Sequence, residues 1–484
     1  MEYNSPMSSK YGLRFWITTP LLVLLSTLAP GVATVSAQPQ ESLTVRYQGE
    51  AGQLLGAALV DTEGWDKLSH LTTVIGHRLS GSEGLERAIA WSHSLMKEEG
   101  LSARLELVMV PHWVRGKESL ELMVPDRRPL AMLGLGGSVG TGPEGVTAEV
   151  VVVQNFEELT ALGRPGIEGK IVVYAVQWEG YGNTVRYRSS GASRAAEFGA
   201  VGALVRSATG SSLYTPHTGA LRYSADTHKI PAAAITVEDA MWMLRYKEAG
   251  GSMSVQLKME ARTLPDAPSA NVIAEIRGSE LPGEVVVMGG HYDSWDVGQG
   301  AHDDGAACMA AWQALTIIHK LGLKPRRTLR VVLWTNEENG GAGGRAYREG
   351  VGDSVTKHVA AIEMDGGCER PVGFGFTLPG APKEGEDEAT KRGMQLLGEI
   401  GALLKAIDGD MIRPGGHGAD ISPLMAEGVP GLALETVREH YFDWHHTNAD
   451  TLEKVDLQDF RKSIALLAVM GYVLADMPET LGPR

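Results

Sequence analysis

The stretch "GGHYDSWDVGQGAHDDGAA", from Gly289 to Ala307, decides how the rest of the chain is interpreted. It follows the apolar run "EVVVM" and places two histidines and four aspartates among glycines. Burying that many carboxylates without partners would be very costly, because an ionised group that leaves water loses its solvation. The stretch is therefore either a solvated loop or a site that holds positive charge.

Apolar runs of strand length alternate with helical segments after this stretch. A helix at "GAACMAAWQALTIIHKLG" is followed by strands at "TLRVVLWT" and "HVAAIEMD", a helix over 388–407, a strand at "VPGLALET" and a helix over 457–475. Strands that alternate with long helices indicate a sheet covered on both faces. The sequence predicts an α/β fold with a mixed, mostly parallel sheet.

The region 111–262 has a different character, with short β-branched runs broken by glycine and one helix near "SSGASRAAEFGA". It predicts a β-rich insert, followed by a short linker at "RTLPDAPSA". A chain of 484 residues favours two domains, although one large α/β domain with insertions is the alternative. The predicted division is a main domain formed by 38–110 and 263–484, with the insert between them.

The N-terminal residues predict export from the cell. Lys10 and Arg14 precede the apolar run "FWITTPLLVLLSTLAPGVA", and "VSA" follows it. This is the pattern of a signal peptide over 1–37 that ends at Ala37, with a retained membrane anchor as the alternative. No later segment approaches the ~20 apolar residues of a membrane span, so we expect a secreted or periplasmic protein without stable membrane insertion.

Charge and cysteine content exclude two further classes. The formal net charge of −15 argues against a general nucleic-acid binder, since such proteins carry an excess of positive charge. Two cysteines, Cys308 and Cys368, cannot provide a disulfide framework, so a large packed core must stabilise the fold. Neither cysteine is assigned a function.

Acidic and imidazole groups follow the predicted core strands. Open α/β sheets bind ligands beyond the carboxyl ends of their strands, so these groups should converge in one crevice. Oxygen and imidazole ligands without a nearby thiolate suit zinc, with manganese or cobalt as lesser possibilities. The groups are His291, Asp293, Asp303, Glu337, Glu338 and Asp365, with the histidines of "DWHHTNADT".

Spacing suggests roles for some of them. His291 and Asp293 are two residues apart and share a face of an extended chain, so Asp293 can accept the second imidazole N–H. Glu337 and Glu338 are adjacent and should diverge, one towards a metal ion and the other towards the water beside it. An aspartate that bridges two cations would hold them ~3.5–4 Å apart.

Four segments also carry a family resemblance: "GHRLSGSEGLERAIAW", "PHWVRGKES", "KIPAAAITVEDA" and, most specifically, "HYDSWDVGQGAHDDG". They resemble the co-catalytic zinc exopeptidases, which include secreted aminopeptidases and glutamate carboxypeptidase, and most closely the carboxypeptidase Q family. The resemblance extends over essentially all of the chain after the signal segment.

The resemblance implies two Zn²⁺ ions per chain and a role for each residue. His291 and Glu338 would bind separate ions and Asp303 would bridge them. Glu337 would be the general base, with Asp293 beside it. The remaining ligands would be Asp365 and His446, the latter chosen because "HTNADTL" resembles the family's segment.

The resemblance also implies a substrate and an assembly. The insert resembles a protease-associated domain, from which Arg188 would bind the substrate carboxylate with its planar fork. His417 and His445 are further candidates for substrate contact, and Asp420 is interpreted as structural. The family implies a homodimeric exopeptidase that acts on dipeptides or short peptides as a carboxypeptidase or dipeptidase.

Three other functions remain open at this point. One is an aminopeptidase of the same fold, and another is a non-catalytic binding protein on the same scaffold. The presence of every predicted ligand and of the base argues against the binding protein. The third is a zinc cyclase of the glutaminyl type, which has one metal ion. Measuring the number of metal ions per chain would distinguish it from a two-metal peptidase.

Overall fold

The computed structural model describes residues 12–18, 41–380 and 387–482. The predicted signal peptide lies outside the described residues, apart from 12–18, which have no regular secondary structure. Ser42–Arg484 forms one compact unit. Within the described part of the chain, no helix combines the length and apolarity of a membrane span.

This unit contains two sheets, and the first is a mixed sheet of eight strands. Its four central strands run parallel, and antiparallel neighbours flank them on both sides. The α/β prediction is confirmed. In spatial order the strands are β1 (Ser102–Val114), β10 (Arg262–Ile276), β12 (Arg327–Trp334), β11 (Leu281–His291), β13 (His358–Glu363), β16 (Gly431–Thr436), β14 (Pro371–Thr377) and β15 (Met411–Pro414).

A second sheet of eight strands lies between β1 and β10 in the chain. Its central strands β5 to β8 run parallel, and antiparallel strands extend it at both ends. In spatial order they are β3 (Arg128–Leu130), β2 (Glu118–Val124), β9 (Ser254–Met259), β5 (Val146–Val153), β6 (Ile171–Tyr174), β7 (Gly202–Arg206), β8 (Ala232–Ile235) and β4 (Met132–Gly134).

Helices cover both sheets. Three of them, Phe156–Ile167, Tyr181–Glu197 and Val237–Glu248, pack against the second sheet. This region therefore has more helical structure than the single helix that its sequence predicts. The helices are α1 (Leu43–Arg46), α2 (Gln48–Leu59), α3 (Glu63–Ser69), α4 (Glu83–Glu98), α5 (Phe156–Ile167), α6 (Tyr181–Glu197), α7 (Val237–Glu248), α8 (Ala306–Lys320), α9 (Ala342–Val351), α10 (Glu388–Gly401), α11 (Ser422–Met425), α12 (Tyr441–Trp444) and α13 (Leu457–Asp476).

The first sheet is buried on both faces. Along β11, Val286 and Met288 pack into the core formed with α8 and α13, while Val285 and Val287 pack into a core on the opposite side. Successive side chains of a strand point to opposite faces, so both faces of β11 are apolar. Helix packing on both sides leaves the carboxyl ends of the central strands as the place where polar groups gather.

The predicted linker "RTLPDAPSA" is wrong, since it forms the first part of β10. β10 pairs antiparallel with β1 from Ser102↔Glu275 to Val114↔Arg262, which carries both strands across the predicted domain boundaries. The prolines suggested a break, but Pro265 lies at a register shift opposite Val110 and His112. Pro268 pairs with Met109 in a part of β10 that has β1 as a neighbour but does not pair with β12. A continuous ribbon therefore joins the two sheets.

Packing also joins the two sheets. Trp295 and Val297, from the acidic stretch after β11, are buried in a core cluster of the second sheet together with Leu79. Gly136 lies against the Trp295 indole so closely that an added Cβ would clash with the ring. Arg115 donates from Nε to Asp296 Oδ2 at 2.9 Å and forms an ion pair with the same carboxylate.

Candidate metal centre

The carboxyl end of β11 and the segments that follow β11, β12, β13 and β16 bring the predicted ligands together. His291 Nε2 lies 3.0 Å from Asp303 Oδ1 and 3.7 Å from Asp365 Oδ1. His446 Nε2 lies 3.2 Å from Asp303 Oδ2 and 3.0 Å from Glu338 Oε2. Asp303 thus stands between two sets of ligands, with one oxygen directed at each histidine.

The electrostatics of this cluster fit bound cations. Burial and repulsion from Asp303 raise the pKa of Glu338 to about 7, and burial raises the pKa of Glu337 well above its usual range. Among the residues that the structure describes, Asp303 Oδ2 and Glu338 Oε1 are buried and accept no hydrogen bond of standard geometry. Divalent cations would lower these pKa values and give the orphaned oxygens a partner.

Asp293 acts differently from the sequence-based prediction. His291 Nδ1 lies 3.0 Å from the backbone oxygen of Asp293, while the carboxylate is 3.9 Å away. That carboxylate instead accepts the backbone N–H of Glu337 at 2.9 Å and of Glu338 at 3.2 Å. Asp293 is fully buried and holds the loop of the two glutamates in position.

Two further aspartates, neither of them predicted as a ligand, shape the loop around Asp303. The Asp450 carboxylate accepts the backbone N–H of Ala301, His302 and Asp303 at 3.1, 2.7 and 3.1 Å. Asp304 Oδ2 accepts the backbone N–H of His291 at 3.1 Å. The aspartates of "HDD" and "NADT" are residues that commonly accept backbone N–H groups. The sequence alone, however, does not distinguish such an aspartate from one that binds a metal ion.

The predicted substrate residues lie in different places. His445 stacks on His446 with ring centroids 3.5 Å apart, and its Nε2 is 3.7 Å from Asp303 Oδ2. His417 is exposed on the loop before α11, and no hydrogen bond or ion pair joins it to the cluster within the described residues. Asp420, on the same loop, is buried.

Arg188 from α6 reaches the edge of the cluster. Its side chain is buried, with Nη1 3.3 Å from His446 Nδ1 and 3.2 Å from the backbone oxygen of Thr218. Nη2 donates to the Tyr181 hydroxyl at 2.9 Å. The guanidinium therefore already has protein partners on both terminal nitrogens.

Comparisons with known proteins point to one family. The sequence profile of Peptidase family M28 matches residues 271–470. Carboxypeptidase Q from Bos taurus is 44% identical over 421 residues, covering 87% of this chain and 86% of the relative. Carboxypeptidase Q from Homo sapiens is 42% identical over 421 residues, with 87% and 86% coverage.

Solved structures agree with this result. A Peptidase M28 precursor from Shewanella amazonensis superposes with a TM-score of 0.85 at 32% identity, covering 91% of this chain and 99% of the other. An aminopeptidase from Aneurinibacillus superposes with a TM-score of 0.63 at 19% identity, covering 90% and 98%. At that identity, the second likeness concerns the fold alone.

Proposed function

The chain belongs to peptidase family M28 and, within it, to the carboxypeptidase Q family, and we propose that it is an exported di-zinc exopeptidase that hydrolyses dipeptides or short peptides. The observation that carries this proposal is the position of Asp303 between two sets of ligands. Its Oδ1 is 3.0 Å from His291 and its Oδ2 is 3.2 Å from His446. A carboxylate in this position can bridge two cations.

The proposed ligand sets share Asp303. His291 and Asp365 complete one set, and His446 and Glu338 complete the other. All are imidazole or carboxylate groups, which zinc accepts. When bound, zinc would act as a Lewis acid that polarises the peptide carbonyl and acidifies water.

The chain's own residues would move the proton. We assign Glu337 as the general base, which takes a proton from the attacking water and delivers it to the leaving amine. Asp293 supports this role because it holds the backbone N–H of Glu337. His445 lies near Asp303 and is proposed to contact substrate, with His417 as a more distant candidate.

Several broader features belong to the same proposal. The second sheet with its helices, over 111–262, would be a protease-associated-like domain inserted into a catalytic domain formed by 38–110 and 263–484. The export signal over 1–37 would direct the enzyme outside the cytoplasm, and the mature protein would form a homodimer. Carboxypeptidase or dipeptidase action is favoured over aminopeptidase action because the curated relatives above are carboxypeptidases.

The test combines metal analysis with a set of blocked substrates. Purified mature protein should contain two zinc ions per chain and should lose peptide hydrolysis on chelation. Dipeptides should be cleaved, and blocking the essential terminus should abolish cleavage. Requirement for a free amino terminus alone would indicate an aminopeptidase, and metal binding without hydrolysis of any peptide would indicate a binding protein.

A further inference from the structure

The inserted sheet contributes directly to one half of the proposed metal centre. We propose that the backbone carbonyl of Thr218, held in place by Arg188, orients His446 and fixes the tautomer in which its Nε2 is free to bind metal. Arg188 is then a positioning residue rather than a substrate clamp. This inference rests on the proposed two-metal function.

Thr218 and His446 make a reciprocal pair of contacts. The backbone N–H of Thr218 donates to the backbone oxygen of His446 at 3.0 Å. His446 Nδ1 lies 3.2 Å from the backbone oxygen of Thr218. The opposite nitrogen, Nε2, faces Glu338 and Asp303. The imidazole is therefore held between the insert on one side and the carboxylates on the other.

An ion on Nε2 and the donors around Nδ1 together require one tautomer. Arg188 Nη1 is 3.3 Å from His446 Nδ1, but a guanidinium can only donate, so a hydrogen bond between them would leave the imidazole proton on Nε2 and block the ion. Both nitrogens also lie within hydrogen-bond distance of the Thr218 oxygen, which has two lone pairs. The arrangement is satisfied when both groups donate to that oxygen, which puts the imidazole proton on Nδ1 and leaves the Nε2 lone pair for the ion.

The other histidine of the cluster follows the same rule with a different carbonyl. His291 Nδ1 lies 3.0 Å from the backbone oxygen of Asp293, two residues along its own chain segment. Metal-binding histidines commonly give their second N–H to a backbone carbonyl, which fixes the ring. His291 finds this partner locally, whereas His446 depends on a residue from the insert.

The backbone around His446 needs such support. His446 has φ 61°, a left-handed conformation that costs energy for a residue with a side chain. On the other side of the contact, Thr218 is fully buried and its hydroxyl donates to the backbone oxygen of Gly134 at 2.7 Å. The insert thus presents a fixed carbonyl to a strained ligand.

Metal affinity tests the inference without relying on catalysis. Mature apoprotein is titrated with Co²⁺ against a chromophoric chelator, for the wild type, Arg188→Ala and Arg188→Lys. Arg186→Ala is the control, because Arg186 is an exposed arginine on the same helix. Arg188→Ala should weaken one of the two binding constants about 10- to 100-fold, the usual effect of removing support from a ligand, and leave the other unchanged.

Arg188→Lys keeps the charge but loses the fork that joins Thr218 to Tyr181, so it should weaken the same constant to a smaller extent. It also serves as the decisive variant if Arg188→Ala does not fold by circular dichroism. Two wild-type constants in both Arg188 variants, or an equal loss in both constants, would overturn the inference.

A selective loss of cleavage of free peptides over amidated ones, with both constants unchanged, would instead restore Arg188 as a substrate clamp. In each of these cases the wild type still binds two ions, so the proposed function stands. A wild type that binds fewer than two ions overturns the proposed function and this inference together.

Discussion

Two adjacent glutamates of the candidate centre have different surroundings. Glu338 Oε2 lies 3.0 Å from His446 Nε2, and the Glu338 side chain is buried within the cluster. Glu337 is partly exposed, and its backbone N–H is held by Asp293. The two carboxylates therefore lie in different positions, with Glu338 among the proposed ligands and Glu337 beside them.

Exchanging each carboxylate for its amide separates the two roles. Glu337→Gln keeps the size of the side chain but cannot accept a proton, so kcat should fall by about 10²–10⁴ while both ions remain. Glu338→Gln should lose metal, because a neutral amide is a poorer ligand for a hard cation. Steady-state kinetics and elemental analysis of both variants measure this. Metal loss in Glu337→Gln with retention in Glu338→Gln would reverse the assignment.

Most of the proposed ligands lie at or just after the ends of strands of the first sheet. Buried aspartates hold the loops that carry these ligands. Asp450 accepts three backbone N–H groups from residues 301 to 303, next to the proposed bridging ligand. Asp456 also accepts two backbone N–H groups, but at the exposed start of α13. The two aspartates make similar bonds at different depths.

We expect Asp450→Asn to cost about 1–3 kcal/mol of unfolding free energy, because the amide nitrogen cannot accept the buried N–H groups. The displaced loop should also lower metal content. Asp456→Asn should change stability little, since asparagine caps helices about as well as aspartate. Denaturant unfolding and metal analysis check both variants. Equal effects of the two substitutions would show that loop capping at Asp450 has no special importance.

The contact between α9 and β13 contains a buried histidine that should make stability depend on pH. His358 Nε2 is 2.9 Å from the Tyr347 hydroxyl, which accepts a hydrogen bond from Arg330. Burial lowers the pKa of His358 from 6.5 to about 4. The unfolded chain therefore binds a proton between these two values where the folded chain does not, so stability falls as pH drops from about 6.5 to about 4.

This difference in the pKa of His358 corresponds to at most roughly 3 kcal/mol of unfolding free energy. His358→Gln should be less stable at pH 7 but should lose less stability between pH 7 and pH 4 than the wild type. His319→Gln, at an exposed histidine, should keep the wild-type dependence. Unfolding free energies measured at several pH values provide the comparison, and parallel curves for wild type and His358→Gln would contradict it.

The sequence predicted elements better than it predicted contacts between them. The strand at "TLRVVLWT" and the helix starting at Leu457 appear in the structure because their apolar periodicity matches the faces that they bury. The predicted linker failed because proline discourages strand structure locally, while pairing with β1 overrides that preference.

The candidate site shows the same limit. Acidic groups at strand ends predicted the cluster, since parallel strands end at one edge of a sheet. Sequence spacing could not show that Asp293 uses its backbone oxygen for His291 and its carboxylate for the glutamate loop. Nor could it show that Thr218, more than 200 residues from His446, completes that side of the site. Such contacts depend on long-range packing, which leaves no local pattern.

At the scale of the whole molecule, the second sheet is integrated with the first rather than attached to it. Trp295, two residues after Asp293, is 2% exposed and packs in a core cluster of the second sheet. Its ring also lies 5.6 Å from that of His446. Since residues near the proposed ligands form part of the core of the second sheet, the two sheets should lose structure together.

Thermal unfolding of the wild type, followed by calorimetry and by residual peptidase activity, should therefore show one transition. Trp295→Ala removes a large buried side chain and should cost about 3–5 kcal/mol, lowering the temperature of that single transition and of activity loss alike. Trp242→Ala, at a partly exposed tryptophan on α7, should shift it less. Two separate wild-type transitions, with activity surviving the first, would show that the second sheet unfolds independently. They would also contradict the proposal that Thr218 orients His446. A metal centre that needs the Thr218 carbonyl cannot stay active after the second sheet, which carries Thr218, has unfolded.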